Sequence, residues 1–123
     1  TVTCVDIDAA KVENLKKGIL PIYERGLDDF FERNTKEGRL HFTTQLAEGI
    51  EGAKIIFLAL PTPPGEDGSA DLKYVLKVAS DLGPLLKDYT VIVDKSTVPV
   101  GTSEKVHDKL KAGAKVDFDV VSN

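Results

Sequence analysis

The chain has 123 residues, 41% of them hydrophobic and 29% charged, which is one domain's worth of an ordinary globular sequence with enough apolar content to bury a core. A net charge of −4 argues against nucleic acid as a main partner, and no apolar run approaches the length of a membrane span. One cysteine excludes an internal disulfide and fits a cytoplasmic location, without membrane attachment.

Residues 2–7 (VTCVDI) are β-branched and apolar and end in acid, which predicts a buried strand. Asp8 is placed to cap a helix running to about Lys17, with Val12 and Leu15 on its inner face. Residues 20–23 form an extended connector held open by Pro21. Leu27, Phe30 and Phe31 follow at helical spacing and predict a short amphipathic helix stopped by Gly38. Residues 40–43 read as a short strand, and Leu46 and Ile50 mark one or two helical turns. Residues 54–60 (KIIFLAL) are the most apolar stretch and suit a strand buried on both faces. A loop of prolines, glycines and acids occupies 61–69. A helical stripe then begins at Asp71 with Leu72, Val75, Leu76, Ala79 and Leu82. Residues 91–93 are a second strand suited to burial on both faces, 102–112 a helix carrying Val106 and Leu110, and 118–121 a last strand.

Strands alternating with helices predict an α/β domain over 1–123, with a mostly parallel sheet and right-handed crossovers. The chain holds no methionine and starts at Thr1 inside a strand-like run, so it is expected to be a piece of something longer.

Little in the composition supports metal or nucleophilic chemistry. His41 and His107 have no second ligand at useful spacing, Cys4 lies among valines where a thiol is expected to be buried and inert, and no Ser-His-acid grouping occurs. No glycine-rich phosphate motif is present. A cofactor-shaped pattern remains. Asp6 is an acid at the end of a strand that leads into a helix, where dinucleotide-binding folds place a carboxylate on the adenosine ribose; the alternative is that it only caps the helix. With Asp8 also available, Asp6 is free for ribose. Lys11, one turn into the helix, is expected to reach a phosphate or ribose, or else to meet only water, as most helix lysines do. Thr62, between Pro61 and Pro63, follows the strand at 54–60. Ser96 and Thr97 follow the strand at 91–93, at the carboxyl edge where open α/β sheets bind ligands, or they merely satisfy turn backbone. Thr62 and Thr97 are expected on neighbouring strand ends facing one crevice.

Four strings carry a resemblance: VDID with Lys11, LPIYERGL (20–27), the PTPP…ADLKYV run (61–75) and DKSTVPVGT (94–102). Together they resemble the nucleotide-sugar 6-dehydrogenases of the UDP-glucose/GDP-mannose dehydrogenase family over essentially the whole chain. The UDP-glucose branch fits better than the GDP-mannose or UDP-N-acetylmannosamine branches. Arg25 departs from the family's usual proline in PIYEPGL.

The resemblance implies a Rossmann-like, doubly wound fold lacking its first βα unit, that is, an NAD-binding domain incomplete at its N-terminus. It implies oxidation of a sugar C6 alcohol to the carboxylate with two NAD, the aldehyde-level intermediate being held on a cysteine that this chain lacks. By position, Asp6 would bind the adenosine ribose with Lys11 beside it, and Thr62 and Thr97 would line the pyrophosphate and nicotinamide side. No catalytic residue or metal ligand is expected in this segment. The nucleotide-sugar substrate would bind mainly through a C-terminal half, and the intact protein is expected to be a homo-oligomer. A dehydrogenase for another nucleotide sugar and a non-catalytic nucleotide-binding module are the alternatives. In the usual strand order 3-2-1-4-5-6, the strands at 2–7 and 54–60 are the second and fourth, and are therefore expected not to pair.

Overall fold

The computed structural model describes all residues, 1–123. They divide into two compact units, Thr1–Glu51 and Gly52–Asn123.

The first unit is built on two parallel strands, β1 (Val2–Val5) and β2 (Leu40–Thr43), in register from Val2 opposite Leu40 to Val5 opposite Thr43. Helices α1 (Ala9–Lys16) and α2 (Leu27–Lys36) connect them, and the single turn α3 (Leu46–Gly49) follows. Asp8 caps α1, its carboxylate accepting the Lys11 amide hydrogen at 3.1 Å. α2 carries Asp28 and Asp29 in its first turn and Arg33 and Lys36 in its last, the arrangement that complements its dipole. The buried contact here is Phe31 against Phe42, with ring centroids 5.6 Å apart. Phe30 lies outside under the Arg33 guanidinium.

In the second unit the order β3 (Ile55–Leu58), β4 (Thr90–Asp94), β5 (Phe118–Ser122) is entirely parallel. α4 (Lys73–Leu82), extended by a 3-10 turn at Gly83–Leu85, and α5 (Thr102–Gly113) are the crossovers. α4 begins two residues later than Asp71 because that carboxylate accepts the Lys73 amide hydrogen in a turn. The two helices pack on each other, and Val75, Ala79, Leu82, Val106 and Leu110 are fully buried. At the far end the backbones come very close. A Cβ on Gly83 would lie 2.6 Å from the Leu110 carbonyl oxygen, so only glycine fits.

The α/β expectation holds, and every strand pair within each unit is parallel. The burial of the strands differs from expectation. All of β1 is exposed, Cys4 included; β3 exposes Ile55 and Phe57 while burying Leu58; and in β4 only alternate residues, Thr90, Ile92 and Asp94, are fully buried. In the second unit the cause is topological. Strands in sequential order with right-handed crossovers put both helices on one face, and the other face, with Ile55, Phe57 and Val121, is uncovered. In the first unit, β1 has β2 as its one ladder partner. A continuous apolar run marks a strand able to be buried on both faces; within these 123 residues cover is supplied for one or fewer.

Candidate cofactor site

At the carboxyl end of β1 the ladder closes with the Asp6 amide donating to the Thr43 carbonyl at 3.2 Å. The Asp6 side chain then turns towards α1. One carboxylate oxygen accepts the Asp8 amide hydrogen at 3.0 Å, and the other accepts from the Lys11 ammonium at 2.6 Å. The Lys11 hydrogen bond, aided by the Asp8 amide, holds the Asp6 carboxyl below its ordinary range, and Asp6 raises Lys11 in return. Asp6 is therefore ionised at neutral pH and remains partly open to solvent, with Ile7 almost wholly exposed beside it. Both carboxylates serve α1 in different ways. Asp8 is the cap, and Asp6 is a fixed, partly exposed acceptor with lone pairs to spare.

In the second unit the ends of β3 and β4 are stitched together. The last backbone rung is the Lys95 amide donating to the Leu58 carbonyl at 3.0 Å. Ser96 adds the next one through its side chain. Its hydroxyl donates to the same Leu58 carbonyl at 3.2 Å and accepts the Leu60 amide hydrogen at 3.0 Å. The Thr62 hydroxyl donates to the Thr97 carbonyl at 2.9 Å. Thr62 and Thr97 are thus brought together beyond neighbouring strand ends, and in the first unit Asp6, just past β1, is brought together with Lys11 of α1. Beyond Thr97, Gly101 adopts φ of +90° and opens α5, and the Thr102 hydroxyl donates to the Pro99 carbonyl at 2.7 Å.

One role and one residue here were not legible in the sequence. Ser96 was visible as a strand-end hydroxyl, but its double use was not. Asp94 reads as an ordinary polar residue at a strand end, yet it is fully buried. One of its oxygens accepts the Ser96 amide hydrogen at 3.2 Å, the other has no partner, and burial pushes the carboxyl upward. The available signal was period two: Asp94 falls in step with Thr90 and Ile92. The remaining candidates for chemistry lie elsewhere. His41 is exposed in β2, and His107 packs against the Phe118 ring, centroids 5.0 Å apart. Cys4 is exposed rather than buried, while partial desolvation raises its thiol above the ordinary value.

The model of the NAD binding domain of the UDP-glucose/GDP-mannose dehydrogenase family matches residues 1–123. The chain belongs to that family. It is similar to the UDP-glucose 6-dehydrogenase of Pseudomonas aeruginosa, 47% identical over 112 residues, covering 91% of this chain and 25% of the relative. A Bacillus subtilis UDP-glucose 6-dehydrogenase is 46% identical, covering 99% of this chain and 27% of the relative. Among solved structures, a UDP-glucose dehydrogenase from Pyrobaculum islandicum superposes with a TM-score of 0.93 at 38% identity, over 99% of this chain and 29% of that one. A GDP-mannose dehydrogenase from Pseudomonas aeruginosa does so with 0.86 at 28%, over 99% and 30%. The chain spans about a quarter of the length of the curated relatives it matches.

The fold is thus a Rossmann-like NAD-binding domain, and the cofactor is NAD. The residues present fit that cofactor. An ionised, partly exposed carboxylate at a strand end accepts hydrogen bonds from ribose hydroxyls and repels a 2′-phosphate. No helix is long and apolar enough to cross a membrane.

Proposed function

We propose that this chain is the NAD-binding part of a cytoplasmic UDP-glucose 6-dehydrogenase that oxidises UDP-glucose to UDP-glucuronate with two NAD. The observation that carries the reading is Asp6, a carboxylate fixed at the end of β1 by Lys11 and the Asp8 amide, and not consumed in capping α1. In this reading Asp6 binds the adenosine ribose hydroxyls, and Lys11 orients it and limits the local negative charge. Thr62 and Thr97, joined by a hydrogen bond at the ends of β3 and β4, line the pyrophosphate and nicotinamide side. Bound NAD supplies the hydride acceptor; the chain's own residues bind and orient it. The choice of UDP-glucose over other nucleotide sugars is supported by the UDP-glucose 6-dehydrogenases among its relatives at 43–47% identity. The catalytic cysteine and most of the sugar site are assigned to a C-terminal half of the intact protein, which we take to be a homo-oligomer.

Initial rates of NADH formation by the intact protein test the reading, with UDP-glucose, GDP-mannose and UDP-N-acetylmannosamine supplied in parallel. Turnover of UDP-glucose with two NADH per sugar is expected; a clear preference for another sugar overturns the assignment. The 123-residue chain alone is expected to form no NADH. Turnover by pure chain would refute the placing of the nucleophile outside it.

A further inference from the structure

We infer that Ser96 is a positioning residue for the cofactor crevice, holding the turn that carries Thr62 against the turn that carries Thr97. The inference rests on the reading of those two threonines as crevice residues. The backbone ladder between β3 and β4 ends at the bond from the Lys95 amide to the Leu58 carbonyl. Past that point Pro61 and Pro63 lack amide hydrogens, so the segment leading to Thr62 and on from it cannot continue a backbone ladder. Side-chain hydroxyls take over. The Ser96 hydroxyl donates to the Leu58 carbonyl at 3.2 Å and accepts the Leu60 amide hydrogen at 3.0 Å, gripping the exit of β3 on both sides of Ala59. Its own amide is fixed on the Asp94 carboxylate at 3.2 Å. Two residues beyond Leu60, the Thr62 hydroxyl reaches the carbonyl of Thr97, the residue next to Ser96, at 2.9 Å.

The geometry selects the side chain. A single atom must be donor and acceptor at once, which serine and threonine provide and alanine does not; a thiol does so only weakly. Ser96→Ala leaves the Leu60 amide without its acceptor and frees the two residues upstream of Thr62. Every side-chain bond that Ser96 makes is to the 58–60 segment, so the consequence falls on the position of Thr62.

The test is NAD affinity of the intact protein by titration calorimetry, with the melting temperature recorded for each variant. Ser96→Ala is expected to weaken NAD binding about tenfold, one hydrogen bond's worth, and Ser96→Thr to restore most of it. Because Ser96 acts through Thr62, the loss in the double variant Ser96→Ala/Thr62→Val is expected to fall well short of the product of the two single losses. A lower melting temperature with unchanged NAD affinity per folded molecule makes Ser96 merely structural and overturns the inference. So does full additivity of the two substitutions. If Ser96→Ala does not fold, Ser96→Cys keeps the volume and carries the same expectation, and unchanged affinity there overturns it equally. Unaltered NAD binding in Thr62→Val removes the crevice reading itself, which separates the failure of that reading from the failure of this one.

Discussion

Replacing Asp94 by asparagine is expected to stabilise the fold at neutral pH and to leave it nearly unchanged in acid. Asp94 is fully buried on the helix-covered face of β4, with one oxygen bonded to the Ser96 amide and the other without any partner. Desolvation raises its pKa above the ordinary 3.8, while the Ser96 amide pulls weakly the other way. A carboxyl whose folded pKa is raised binds more protons folded than unfolded, so stability falls as pH rises. The fall begins near 3.8, where the unfolded carboxyl ionises, and is complete once the pH has passed the folded value. Asparagine has nearly the same shape, can keep the bond to the Ser96 amide through its carbonyl, and does not ionise. An unpaired buried polar group costs about 1–3 kcal/mol, more when charged. The neutral amide still leaves one unpaired group in that place, so a gain of about 1–2 kcal/mol at neutral pH is expected from removing the charge alone. Urea unfolding of wild type and Asp94→Asn, followed by far-ultraviolet circular dichroism across the acid-to-neutral range, measures it. A variant less stable than wild type at neutral pH refutes the reasoning, as does an advantage that is the same at every pH.

Three further substitutions probe the other elements. Asp6→Ala in the intact protein should weaken NAD binding by about 1–3 kcal/mol and erode the preference over NADP; unchanged affinity and unchanged discrimination would leave Asp6 a strand-end acid paired to Lys11. Thr97→Val should lower turnover while leaving the melting temperature nearly unaltered, because the bond from Thr62 is received by the Thr97 backbone and survives the substitution. A loss of stability with normal kinetics per folded molecule would contradict that. Gly83→Ala should destabilise the second unit by about 1–3 kcal/mol, since the new methyl meets the rigid Leu110 carbonyl at 2.6 Å. Wild-type unfolding free energy for that variant would mean the ends of α4 and α5 separate at little cost.

Local patterning was enough for most of the elements. The period-3.6 stripe of Val75, Ala79 and Leu82, the acid before α1 and the glycine before α5 are interactions within a few residues, so they can be read from the chain directly. Strand 40–43 and helix 102–112 appear with almost the expected bounds for the same reason. The candidate pairs were legible too: Thr62 and Thr97 follow consecutive strands, and the family resemblance set Lys11, in the first turn of α1, beside Asp6 at the end of β1.

What the sequence by itself determined is therefore the order and type of the elements and the parallel α/β class, and it pointed to the strand ends proposed here for the cofactor. Only the tertiary structure decided which faces are covered. Whether Phe57 is buried depends on the side of the sheet to which α4 and α5 cross, and that follows from strand order, a property of contacts far apart in sequence. The same holds for Asp94. Nothing in a polar residue at the end of a strand says that it will be sealed from water with one oxygen unpaired; the alternation with Ile92 supplies its direction, and the tertiary packing supplies its cover.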